Sequence, residues 1–132
     1  MMGKAQVSLE FLVLMAAFLA FLAAWLPLIG KMKADSERAL SISYARESAA
    51  RLAGALDDVC MLGGGNVREV DVRLVGGARV EGKGNRVFIV GKEYAVGADR
   101  LCSTTDFQLV LDGPGRLRVG ARESAVVVEA IN

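Results

Sequence analysis

The sequence predicts an α+β protein: a long N-terminal helix, first hydrophobic and then amphipathic, packed on a small antiparallel β-sheet head. Three observations carry this reading. Residues 11–29 contain no charged side chain. Between residues 33 and 59 apolar side chains recur at spacings of three and four. After Gly65 the spacing changes to two, and short apolar runs are separated by glycine clusters.

Four segments follow in order. Residues 1–5 form a short polar leader containing Lys4, and residues 6–29 a hydrophobic helix. Phe11 to Ile29 is 19 consecutive residues whose single polar side-chain group is the indole N–H of Trp25. At the rise of an α-helix that run spans about 28 Å, close to the ~30 Å of a bilayer core. Pro27 has no backbone N–H and clashes with the carbonyl of Ala23, so a kink or short break is expected there.

Residues 30–60 continue as an amphipathic helix. Ile42, Ala45, Ala49, Leu52, Leu56 and Val59 form one apolar stripe, with Arg38, Glu47, Arg51 and Asp57 largely off it. The stripe is expected to cover the β head. Asp58 and Gly63-Gly64-Gly65 end the helix, glycine being the usual residue just past a helix C-terminus.

Residues 61–132 read as about seven short strands in an antiparallel meander. Val70, Val72 and Leu74 alternate with Asp71 and Arg73, and Gly76-Gly77 is a turn. Val87 to Val90 and Glu93 to Val96 read as a hairpin with Gly91-Lys92 as its loop. Phe107 to Leu111 and Leu117 to Val119 read as a second, turning at Asp112-Gly113-Pro114-Gly115. Ala125 to Ile131 is the last strand.

Composition narrows the function. The chain has 132 residues, 53% of them apolar, enough for an anchor and one small domain. Mean hydropathy is +0.38, high for a soluble domain, and the excess lies near the N-terminus. Net charge is +1 with the signs interspersed, so there is no basic footprint for nucleic acid. There is no histidine, which removes the usual acid–base group near neutral pH. The carboxylates Asp57, Asp58, Asp71 and Glu81 are scattered, and no nucleophile–base pair stands out. No catalytic, cofactor or metal site is expected. Gly77 to Lys83 matches a phosphate-loop spacing, but Gly84 stands where a Ser or Thr is needed and a strand follows instead of a helix. Ordinary hairpin turns are the expected reading.

Cys60 and Cys102 lack a C-x-x-C partner. Two buried free thiols are one reading. A disulfide tying the helix end to a loop is the favoured one, and closing a loop of that length contributes at most about 4 kcal/mol.

Glu10 directly precedes the apolar run. A carboxylate at the mouth of a membrane helix calls for a partner. Lys4 is one candidate; an α-amine created by a cut before Gln6 would lie one turn from Glu10 and is the other.

The segment Lys4-Ala5-Gln6-Val7-Ser8-Leu9-Glu10-Phe11 and the apolar run after it resemble the class III signal peptide of archaeal type IV pilins, with its Q-x-S-x-E-F motif. The likeness covers about the first 30 residues. It implies cleavage between Ala5 and Gln6 by a membrane-embedded prepilin peptidase. The leader is short, and Ala5 stands where the family usually has glycine. Glu10 would neutralise the N-terminal amine of an adjacent subunit during assembly. The helix would begin in the cell membrane as a single-pass anchor. It would then move, with the assembly platform, into the core of a surface filament of pilin subunits, with adhesion among its expected roles and the head outside. Lys31, Lys33 and Arg38 after the run outnumber Lys4 before it, which by the positive-inside rule alone would place the head in the cytoplasm. The rule weakens for a long translocated domain, and the motif outweighs it.

A cleaved secretory signal fits poorly, because the run exceeds the usual hydrophobic region and Ala24-Trp25 offers no small-residue cleavage site. The alternative expectation is a single-pass membrane protein with an extracytoplasmic β-rich binding domain, which would keep its leader and never polymerise. A membrane-tethered enzyme ranks below both.

Overall fold

The structure, a computed structural model, describes the backbone of residues 2–103, 105–122 and 125–131, and side chains from residue 8 onward within those ranges. One helix, α1 (Met2–Leu62), precedes seven strands: β1 (Val67–Val72), β2 (Ala78–Lys83), β3 (Arg86–Val90), β4 (Ala95–Asp99), β5 (Phe107–Leu111), β6 (Gly115–Arg122) and β7 (Ala125–Ile131). The chain divides into two compact units, Met1–Arg38 and Ala39–Asn132.

In the first unit the described helix starts at Met2, so residues 2–5 of the leader are helical. Nothing in residues 2–5 breaks a helix except Gly3, which alone costs only about 1 kcal/mol. The expected break at Pro27 is absent, and α1 is helical on both sides of it. Proline's fixed φ is itself helical; what is lost is one backbone hydrogen bond.

In the second unit the helix ends at Leu62, three residues beyond Val59. Gly63 takes φ +81° and its N–H bonds the Val59 carbonyl at 3.2 Å. This left-handed cap satisfies a carbonyl the last turn leaves free. The Asn66 side chain donates to the carbonyls of Leu62 and Gly63, at 3.0 and 3.1 Å.

The strands are all antiparallel but form two sheets, ordered β1-β6-β7 and β4-β3-β2-β5, where a single meander was expected. Two turns differ from expectation for the same reason. Gly76, at φ +82°, leads the chain from β1 to the other sheet. Asp112 to Gly115 leads it back, so β5 and β6 are not a hairpin: β5 pairs with β2, and β6 with β1 and β7. Pro114 has no N–H to give a ladder there. Leu74 lies beyond the end of β1 yet is buried.

The β2–β3 hairpin turns at Gly84-Asn85, with Gly84 at φ +55° and Lys83 opposite Arg86. The phosphate-loop-like window is therefore mostly strand β2, followed by a hairpin turn. In the β3–β4 hairpin Val90 pairs with Ala95, and Gly91 N–H bonds the Tyr94 carbonyl at 2.8 Å. The tip is Lys92-Glu93, one residue later than expected. Gly91 is needed for space, since a Cβ there would lie 2.5 Å from the Tyr94 ring.

The core sits between the amphipathic half of α1 and the inner faces of both sheets. Ala45, Ala49, Leu52, Leu56 and Val59 are wholly buried, against Val80, Val87, Ile89, Leu117 and Val119 among others. The stripe thus covers the head as its spacing predicts, with Ile42 half-buried at its start. A buried serine fastens the helix to the chain after β1: Ser48 Oγ accepts from Arg73 N–H at 3.0 Å and donates to the Arg73 carbonyl at 3.2 Å.

Candidate functional site

The apolar run is the feature that soluble packing does not explain. Phe11, Leu14 and Leu26 are more than half exposed, and exposure continues all round the helix. Among the described residues one helix is long and apolar enough to cross a membrane, and none of its most apolar stretch is buried. Soluble proteins rarely expose a contiguous apolar patch above a few hundred Å². A core helix would hide these side chains against its own domain. A helix apolar on every side is suited to lipid or to other apolar helices.

The ends of the run are polar. Glu10 and Ser8 are exposed at its start. The side chains of Lys4 and Gln6, the two expected partners of Glu10, lie outside the described residues, as does the Ala5 side chain at the expected cut; the backbone of all three is helical. Phe11 is exposed. At the other end Lys33 approaches Glu37 at 3.9 Å, an exposed pair one turn apart worth a few tenths of a kcal/mol. Within the run the rings of Phe21 and Trp25 lie 5.6 Å apart.

The head holds one tightly organised polar cluster. Cys60 and Cys102 are joined as a disulfide with Cα atoms 6.4 Å apart, within the usual range. Asp57 Oδ1 accepts from the N–H groups of Leu101 and Cys102, at 2.8 and 3.1 Å. Arg100, next in the chain, is buried; its guanidinium donates to the Gly84 carbonyl and its N–H to the Asn85 carbonyl at 3.0 Å. Burial lowers the Arg100 pKa, opposed by the charges of Asp57 and Asp106. Asp106 also accepts from Gly84 N–H at 3.2 Å. These bonds hold the β4–β5 loop to the helix end and to the β2–β3 turn.

In the sequence Asp57 stands among scattered carboxylates, and no local pattern marks Arg100 or Ser48. For Asp57 a signal existed: it stands three residues before Cys60, on the same helix face, so a bridge at Cys60 brings the residues around Cys102 onto it. Asp71 and Glu81 are in exposed or partly exposed ion pairs, with Arg116 at 3.2 Å and Arg79 at 3.5 Å. Among the described residues no group of three or more Cys, Asp or Glu is arranged to hold a metal ion.

No protein-family model matches the chain, and no curated protein or solved structure matches it.

Proposed function

We propose that the chain is a structural subunit of an archaeal type IV pilus-like surface filament. It is inserted as a single-pass precursor, cut between Ala5 and Gln6 by a prepilin peptidase, and assembled through its N-terminal helix. One observation carries the reading: an apolar helix exposed on every side, with Glu10 at its mouth, continuous in sequence with the helix that forms the spine of a small β head. The side chains of that half are exposed among the described residues, and copies of itself would cover them. Alanines at 16, 17, 20, 23 and 24 let neighbouring backbones approach closely. The activity is self-assembly, and the partners are other pilin subunits, the peptidase, the assembly platform and lipid.

The test is shearing of surface filaments from cells that express the chain. The proposal expects the chain in the sheared, sedimentable material. A chain confined to the membrane fraction would favour the single-pass protein with an extracytoplasmic binding domain.

A further inference from the structure

β4 is an edge strand of the sheet ordered β4-β3-β2-β5. An edge presents unpaired N–H and C=O groups, and proteins commonly guard it with charge or cover it. Of the other edges, β5 and β7 approach each other, and β1 carries Arg68, Glu69 and Asp71. β4 has neither protection. Ala95, Val96, Gly97 and Ala98 carry no charge, and among the described residues no strand lies beyond them.

The hydrogen bonds show which groups this edge offers. Gly91 N–H bonds the Tyr94 carbonyl at 2.8 Å, and Arg100 N–H bonds the Asn85 carbonyl at 3.0 Å. Both are opposed pairs of the β3–β4 register, and bonded pairs in an antiparallel ladder recur every second residue. Tyr94, Val96, Ala98 and Arg100 therefore turn their backbone groups toward β3. Ala95, Gly97 and Asp99 turn theirs outward, and all three residues are exposed. The outward set is centred on Gly97. A second β4 related by a two-fold axis there matches it one to one. Gly97 then opposes Gly97 and Ala95 opposes Asp99, each pair exchanging two bonds.

The side chains along that seam do not conflict. Asp99 falls opposite an alanine and is already paired with Arg86 of its own chain. Phe88 lies opposite Gly97 in the sheet, and its ring edge is 3.1 Å from where a Gly97 Cβ would stand. The ring thus leans over the edge strand. The two-fold brings both rings toward each other on one sheet face, where aromatic side chains attract.

We infer that the heads of two copies join edge to edge, β4 against β4 and antiparallel about Gly97, so that two four-stranded sheets become one. The contact is self-complementary, with the same groups used on both sides. Its axis is normal to the sheet, and the amphipathic half of α1 packs on the face of that sheet. The two-fold therefore reverses that helix half in the second copy. Chains anchored side by side in one membrane run the same way, so in the proposed function the second copy belongs to another filament. That placing rests on the proposed function; the contact itself belongs to the head. A seam of two five-residue strands falls short of the roughly 1,000 Å² of a stable free-standing interface. One contact is weak, and repetition along two filaments strengthens it.

Disulfide trapping of the full chain in neutral detergent micelles tests the contact, because it captures weak association. In an opposed bonded pair the Cα atoms stand about 5.5 Å apart, within disulfide reach. Ala95→Cys and Asp99→Cys are made as separate variants, mixed, and oxidised with copper phenanthroline. The exposed Arg86–Asp99 pair lost in Asp99→Cys contributes little to folding. The Cys60–Cys102 bridge is kept, and peptide mass identifies the new bond. The mixture is expected to give a dimer linked between position 95 of one chain and position 99 of the other. Either variant alone is expected to give none, because identical positions lie about 14 Å apart across the two-fold. A mixture that does not link would overturn the pairing, as would a variant that links to itself as readily as the mixture does. A failed link leaves the sheared-filament test of the proposed function to be read separately.

Discussion

Asp57 and Cys102 are linked twice: Asp57 Oδ1 accepts the Cys102 N–H at 3.1 Å, and Cys102 is bonded to Cys60, three residues after Asp57 on the same helix. One carboxylate and one disulfide hold the β4–β5 loop to the end of the spine. Asp57→Ala leaves the N–H groups of Leu101 and Cys102 without that acceptor, at a cost of about 1–3 kcal/mol. Replacing both cysteines by alanine costs at most about 4 kcal/mol, and less if the carboxylate still holds the loop. Denaturant unfolding of the full chain in detergent checks both. An unchanged midpoint for Asp57→Ala would contradict the clamp, and two free thiols by non-reducing mass analysis would contradict the bridge.

Tyr94 covers Gly91, and its hydroxyl is buried with no hydrogen-bond partner among the described residues. Burial raises its pKa above the usual 10. A raised pKa stabilises the fold below the unfolded value, and that contribution is lost as pH rises through the folded value. Stability should therefore fall on the alkaline side of pH 10. Tyr94→Phe should flatten that limb and cost nothing at pH 7, or stabilise by up to about 1 kcal/mol. Thermal melts at a series of pH values measure both effects, and a variant much less stable at pH 7 would reveal a partner for the hydroxyl.

Two glycines should respond oppositely to alanine. Gly54 is exposed within α1 with open space where a Cβ would stand, so Gly54→Ala should stabilise by up to about 1 kcal/mol. Gly82 pairs with Phe107 across β2 and β5, and a Cβ there would lie 2.1 Å from the ring. Gly82→Ala should therefore destabilise by about 1–3 kcal/mol as the ring is displaced. Equal shifts in unfolding midpoint would contradict the packing.

Glu10→Ala should leave processing and membrane insertion intact and reduce incorporation into filaments. Comparing cleaved precursor with sheared filament yield reads the two steps separately. Normal filament yield in the variant would remove the charge-pairing role.

The parts legible in the sequence were those set by periodicity. The stripe from Ala45 to Val59 became the buried face of the helix, and the final strand, Ala125–Ile131, has the bounds its apolar run indicates. Sheet membership was not legible. Arg116 pairs with Asp71 across 45 residues, and no local pattern announces such a partner. Gly91 marks the hairpin in the sequence as part of its loop, but it lies just before the tip and makes room for the Tyr94 ring; glycine answers the demand of a turn and the demand for space with the same letter. The exposure of residues 11–29 was legible from their uniform apolarity. The Asp57 clamp was hidden because its acceptor role depends on which loop the disulfide brings near.

The central claim is that this helix is cut free of its leader before assembly. N-terminal mass spectrometry of sheared, assembled surface material tests it most directly. The account predicts a chain that begins at Gln6, carrying Glu10 as its fifth residue. Assembled material that begins at Met1 or Met2 would contradict it.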